Sequence, residues 1–313
     1  MSMNYIRLSF TLLVVSATLF SAGCKKDDNS SPVDGQTPED TPTLTTVTYH
    51  KDLAVSDNVL LTDKFYYKNG LLTQVDASTA TSLSVQYNFS YNSDGSLAKI
   101  VSFDVAQTKA YYYFHYVNNR LDSLTVTDTL RGGFPGNLMG FRMSYNSNGK
   151  LTGILMNVLE AGETVPYDYT RWSYHRGANG KLDSLTGQYN PEIGTAVRRI
   201  YTSGEASPVA MAMKKLPAAY LMVLAIRKKA VLLSVVANNL YFHQFLNPDD
   251  NLFNSGTFKA GSTPEELYPY QWPDYKYNID AVLNADGRLT QVQYTDNYRG
   301  EMEGDGGCKF FYR

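Results

Sequence analysis

The chain has 313 residues, 25 of them Tyr, and its 28 basic and 30 acidic side chains leave a formal net charge of −2. That balance offers no basic footprint for nucleic acid, and two cysteines, Cys24 and Cys308, exclude a disulfide framework. The length suits one large all-β domain or two small ones, and abundant Tyr with moderate charge suits strands whose rings pack while their hydroxyls stay wet.

In chain order, Arg7 supplies a positive head to an apolar run from Phe10 to Phe20, too short to span a bilayer core of about 30 Å. The run ends in Ser21-Ala22-Gly23-Cys24. Small residues before a Cys resemble the lipobox of bacterial lipoproteins, with a departure from the usual Leu at the first position. The resemblance implies removal of residues 1–23 as a lipoprotein signal peptide and lipidation of Cys24, which leaves Cys308 a free thiol. The competing reading is an ordinary cleavable signal with an incidental Cys. Lys25-Lys26-Asp27-Asp28 follows at once. A Lys before two acids here, Lys26 with Asp27 and Asp28, resembles the surface-export signal of Bacteroidetes-type outer-membrane lipoproteins. It implies a lipid-anchored protein of the outer membrane, displayed on the cell surface. A solvated charge cluster on a tether is the plainer reading of the same residues. Residues 24–45 are rich in Asp, Ser, Pro and Thr and too poor in apolar side chains to repay their ordering entropy. They read as a flexible tether, followed by a single repeat-built β domain over residues 46–313.

Self-similarity organises that domain. Tyr91-Asn-Ser-Asp-Gly-Ser-Leu97 and Tyr145-Asn-Ser-Asn-Gly-Lys-Leu151 are near copies, and looser versions surround Gly70, Asn119, Gly180 and Gly287. Asn-Gly and Asp-Gly tolerate the positive φ that tight hairpin turns demand, and Asn is the best non-Gly substitute where Asn119 stands in the Gly slot. Before the turns, aromatics alternate with polar residues, as in Tyr87, Phe89 and Tyr91, the period of a strand with one buried face. After each turn a Leu and a second aliphatic stand three apart: Leu97 and Ile100, Leu151 and Ile154, Leu289 and Val292. A regular strand would place them on opposite faces. Either a bulge intervenes, or the Leu seals the hairpin end while the second residue enters the core.

The Gly slots recur at spacings of 25, 24, 30 and 31 residues from Gly70 to Gly180. Such units hold two strands and two connections, so consecutive hairpins pair in series. The pattern resembles the YD repeats of RHS-type proteins, and more closely the uncharacterised repeat-bearing lipoproteins of Bacteroidetes surfaces, over Phe65 to Leu185 and Tyr275 to Val292. In RHS proteins the repeats wind into a shell. Six copies are too few for that, so the expected fold is all-β, an antiparallel meander of repeated hairpins forming a curved open sheet. The motif carries no catalytic residue to transfer.

The stretch from about 200 to 262 breaks the pattern. Leu216 to Ile226 and Ala230 to Val236 are apolar, with Arg227-Lys-Lys229 between them. The three cations argue against a membrane span. One or two helices packed on the concave face of the sheet are expected, with Pro217 in a first helical turn; extra strands are the alternative for Val231 to Val236. The last residues, Cys308 to Arg313, read as a closing strand with a buried, structural Cys308.

No constellation points to catalysis. His50, His115, His175 and His243 lack partners at ligand spacing, Asp249-Asp250-Asn251 lacks the rhythm of a calcium loop, and Glu265-Glu266 are neighbours that seldom face one another. No cofactor or metal is expected. Tyr268, Tyr270, Trp272 and Tyr275 cluster between stiffening prolines; they are either stacking aromatics for a glycan or protein, or rings packed under the last hairpin. The expected function is a noncatalytic envelope module, bound to the membrane through its anchor and binding a glycan or an envelope protein. The alternatives are an enzyme acting on a polysaccharide or peptide, and a carrier sheltering an apolar ligand in the concavity.

Overall fold

The computed structural model describes residues 43–54, 59–104, 109–129, 135–159, 165–189, 196–201, 208–226, 242–246, 255–260, 275–298, 301–302 and 306–313. Pro42–Arg313 is one compact unit. Its strands are β1 (Leu44–His50), β2 (Val59–Lys68), β3 (Leu71–Ser78), β4 (Leu83–Tyr91), β5 (Leu97–Asp104), β6 (Lys109–Val117), β7 (Arg120–Thr129), β8 (Pro135–Tyr145) and β9 (Leu151–Leu159). Then follow β10 (Tyr167–Arg176), β11 (Leu182–Tyr189), β12 (Ala196–Tyr201), helices α1 (Pro208–Met213) and α2 (Ala218–Ile226), β13 (Ser255–Ala260), β14 (Tyr275–Leu283), β15 (Leu289–Tyr298), β16 (Glu301–Met302) and β17 (Gly306–Tyr312). All belong to one 17-stranded antiparallel sheet, in which each strand from β1 to β15 pairs with its chain neighbour. The meander expected from the repeats is therefore present.

Its two ends meet. β17 pairs with β15 on one side and with β1 on the other. The reason lies in strands that the repeat does not mark. Six motif hairpins run β2–β3, β4–β5, β6–β7, β8–β9, β10–β11 and β14–β15. A seventh pair, β12–β13, has residues 202–254 where a turn would stand. An eighth, β17–β1, is held at the same level by two hydrogen bonds, Thr43 N to Arg313 O at 2.9 Å and Arg313 N to Thr43 O at 3.0 Å. Because every motif turn follows an even-numbered strand of an antiparallel series, all of them lie at one end of the sheet, here termed the turn end.

The turns come in two kinds. Asn69-Gly70 and Asn118-Asn119 have positive φ at both positions, the two-residue hairpin form. The other four copies carry one positive-φ glycine, as at Gly95 (φ 83°), and close with bonds such as Gly95 N to Asn92 O and Asn92 N to Ser96 O. In all six copies the register slips by one residue just after the motif Leu, at Thr73, Ala98, Asp122, Thr152, Asp183 and Thr290. This bulge settles the three-residue spacing. It turns both Leu97 and Ile100, and each equivalent pair, onto the buried face.

The buried face is covered by the insertion. α2 is apolar all round, as a helix enclosed on every side must be, with Ala219 through Leu224 buried. Pro217 stands just before α2 rather than within its first turn; its carbonyl accepts from the amides of Tyr220 and Leu221. Tyr220 packs edge-on against Phe65 of β2 with ring centroids 4.6 Å apart. A helical turn at 242–246 lays Phe245 on Phe114 of β6 and Phe242 on Phe141 of β8. Residues 227–241, including the stretch Val231 to Val236, lie outside the described residues. On the opposite face Gln74, Asp76, Gln86 and Asn88 are hydrogen-bonded across β3 and β4, and Arg142 and Arg171 are exposed, as are outward rings such as Tyr66. Among the described residues no helix is long and apolar enough to cross a membrane.

Candidate binding site at the turn end

The third and fourth motif turns and the 242–246 helical turn border an open cavity of about 450 Å³. Its floor is apolar, from Leu121, Leu151, Phe245 and Leu246, and its wall carries two phenols, Tyr116 and Tyr145, and two cations, Arg120 and Lys150. The repeat explains how each is placed. Tyr116 is the penultimate residue of β6 and Tyr145 the last of β8, each leading into its turn, and Arg120 and Lys150 each follow the residue in the Gly slot. Leu121 and Leu151 are the motif leucines that the bulges turn inward.

The motif tyrosines have a structural task that the repeat alone did not disclose. Tyr91 donates its hydroxyl to the carbonyl of Leu72 at 2.8 Å, and Tyr145 donates to that of Leu121 at 2.6 Å. Each ties its hairpin to the motif Leu of the preceding one, and Arg176 makes the same backward bond to Leu151 O at 3.3 Å. Burial pushes the Tyr91 and Tyr116 phenols up to about 12 and raises Tyr145 as well, against the pull of Arg120. All three remain hydrogen-bond donors at neutral pH. The Arg120 guanidinium lies over the Tyr145 ring, 5.9 Å from its centroid, and crowds Gly149, where an added Cβ would lie 2.5 Å from a guanidinium nitrogen. A cation over the Tyr145 ring, the Tyr116 phenol as donor and an apolar floor suit a small ligand with an acidic group and apolar faces.

Two buried polar clusters lie deeper. Asp63 of β2 is fully buried, and its Oδ2 accepts from Tyr49 at 2.9 Å and from Tyr220 at 2.7 Å, with the two phenolic oxygens 2.6 Å apart. This triangle ties α2 to β1 and β2. His243, also fully buried, is hydrogen-bonded through Nδ1 to the Tyr174 hydroxyl, while its Nε2 has no partner among the described residues. Its ring meets Trp172 edge-on at 4.8 Å, and Trp172 fits only because its cross-strand neighbour is Gly187, where a Cβ would stand 2.8 Å from the indole. His115 and His175 are exposed on the outer face and bond Thr125 and Thr186. Cys308 is buried on β17, and among the described residues it forms no disulfide.

Of the residues singled out from sequence, Cys24, Lys26, Asp27 and Asp28 lie outside the described residues, as do Tyr268, Tyr270 and Trp272. Tyr275 opens β14, its backbone opposite Phe258, and its side chain is not described. The sequence reading missed the turn-end cavity, yet a signal was present. The residue after the Gly slot is basic in four of the six copies: Arg120, Lys150, Lys181 and Arg288. Among the described residues no cluster of metal-ligating side chains occurs.

No protein-family model matches the chain, and none of the curated proteins does. Among solved structures, a porin-like protein from Bacteroides uniformis aligns over 86% of this chain and 96% of its own, with 14% identity and a TM-score of 0.48. A porin-like protein from Bacteroides vulgatus aligns over 86% and 98%, with 12% identity and a TM-score of 0.46.

Proposed function

We propose that the chain is a noncatalytic, lipid-anchored envelope protein that binds an acidic saccharide in the turn-end cavity. The observation that carries this reading is the cavity itself. Arg120 and Lys150 supply charge for a carboxylate, Tyr116 supplies a donor, and Phe245 and Leu246 supply a surface for the apolar face of a sugar ring. The packing of the buried face favours this reading over a carrier of apolar ligands, which needs a hollow concavity; α2 covers β1 and β2 there, and residues 242–246 cover β6, β8 and β10.

Calorimetric titration with a uronic-acid oligosaccharide and with its neutral counterpart tests the site. The acidic sugar is expected to bind and the neutral one to bind more weakly. Arg120→Ala is expected to cost roughly tenfold or more in affinity, the worth of a charge-assisted hydrogen bond of about 1.5–3 kcal/mol. Equal binding of both sugars, or an Arg120→Ala variant with unchanged affinity, would eliminate the assignment. The anchor is tested by Cys24→Ser, which is expected to move the protein from the membrane fraction to the soluble one; retention in the membrane fraction contradicts lipidation.

A further inference from the structure

We propose that the turn end is a cationic docking face for an anionic, phosphate-bearing membrane surface, and that the tether holds this face against the membrane to which Cys24 anchors the chain. The inference rests on the lipid anchor of the preceding section. Three observations carry it.

The first is where the tether arrives. Thr43, the first described residue, is hydrogen-bonded to Arg313 at the turn end, level with the motif turns. Residues 24–42 therefore join the sheet on this side. A chain of that length reaches no further than about 65 Å even when fully extended, which keeps the turn end within reach of the lipid and raises its effective concentration there.

The second is charge. The chain as a whole is slightly acidic, but its turn end is not. Arg120, Lys150, Lys181 and Arg288 follow the turn glycines or their substitute, and Lys68 ends β2. Lys215 joins them through its bond to the Asp286 carbonyl at 2.5 Å, with exposed Lys214 beside it and Arg313 at the β17–β1 seam. Against these stand Asp94, Asp122, Asp183 and Asp286, and Asp94 is engaged by Ser96. Among the described residues the turn end thus has an excess of positive charge, in a protein whose net charge is negative.

The third is the contrast with the other connections. Three of the segments that join these strands at their opposite ends are acidic in sequence, with Glu160 and Glu163 between β9 and β10, Glu192 between β11 and β12, and Glu265 and Glu266 between β13 and β14. A charge separation along the strand direction orients the molecule in the field of an anionic surface, which acts over about one Debye length.

The test uses the full, lipidated chain on phosphatidylcholine vesicles with and without added phosphatidylglycerol, each containing a headgroup-labelled nitroxide quencher. Cys308 is buried and Cys24 is acylated, so a thiol dye reports one site at a time. Ala178→Cys places it in the fifth motif turn, and Ala80→Cys places it in the exposed connection between β3 and β4 at the opposite end. The Ala178 dye is expected to be quenched more on anionic than on neutral vesicles, and the Ala80 dye equally on both. The difference is expected to disappear in the Lys68→Glu/Lys181→Glu/Lys214→Glu variant. It is also expected to vanish when salt rises from about 0.1 M to about 1 M, which shortens the screening length from about 10 Å to about 3 Å. A chain that floats with both vesicles but shows no charge-dependent difference at Ala178 overturns the docking and leaves the anchor standing. A chain that floats with neither overturns the anchor and, with it, the docking.

Discussion

Tyr220→Ala is expected to cost about 4 kcal/mol of stability, within the range for removing a large buried aromatic. That is a large share of the 5–15 kcal/mol that holds a typical domain together. Two losses combine. The ring leaves a cavity against Phe65, and its hydroxyl no longer reaches Asp63. Tyr220→Phe separates them. It keeps the ring and removes only the donor, so about 2 kcal/mol is expected, the cost of withdrawing a hydrogen bond from a buried carboxyl. Tyr66→Ala, on an outward ring that is 45% exposed, is expected to stay within about 0.5 kcal/mol of the parent. Urea denaturation of the three variants checks the order. A Tyr220→Phe variant as stable as the parent would show that the triangle with Tyr49 and Asp63 does not hold α2 in place.

The second large effect is in pH. Burial lowers His243 to about 3, well below the ordinary value near 6.5. Between those values the unfolded chain binds a proton at this residue that the folded chain does not, so stability rises with pH and is lost as pH falls below about 6.5. From this group alone the loss between pH 7 and pH 5 is about 2 kcal/mol. The rings around it, Trp172, Tyr174 and Phe242, carry no charge that would offset the cost. His50, lowered by its burial and then by Lys309, adds a loss of the same sign. Denaturation at pH 7 and pH 5 is expected to show the loss in the parent and a shallower one in His243→Gln. A parallel loss in both proteins would acquit His243.

The hairpins were legible in the sequence because turn chemistry is local. Asn69-Gly70 and Asp94-Gly95 fix the backbone with their own residues, and Asn119 filled a Gly slot at φ 59° as its side chain allows. The bulge was half legible. The spacing of Leu97 and Ile100 required an irregularity, but only the pairing with Tyr91 and Phe89 places it at Ala98. The meeting of β17 with β1 and β15 was not legible, since it depends on unmarked strands whose partners lie at the far end of the chain. The helix in Ala218–Ile226 was ambiguous for a physical reason. A segment enclosed on all sides has no polar face, so its periodicity vanishes. The cavity was hidden because no one repeat contains it; two adjacent hairpins and residues 242–246 build it together. The buried pair of His243 and Tyr174 spans 69 residues and leaves no spacing signal.

The seam at Thr43 bears on mechanics. Any pull transmitted through the residues before Thr43 runs along the axis of β1, which is flanked on both sides, by β17 from Leu44 to His50 and by β2 from Thr46 to His50. Antiparallel ladder bonds lie across the strand direction, so such a force shears many of them at once rather than peeling them one by one. A leash fastened at a hairpin tip would instead unzip its strands in sequence. The same ladder that completes the sheet therefore makes its first strand a strong point of attachment under tension.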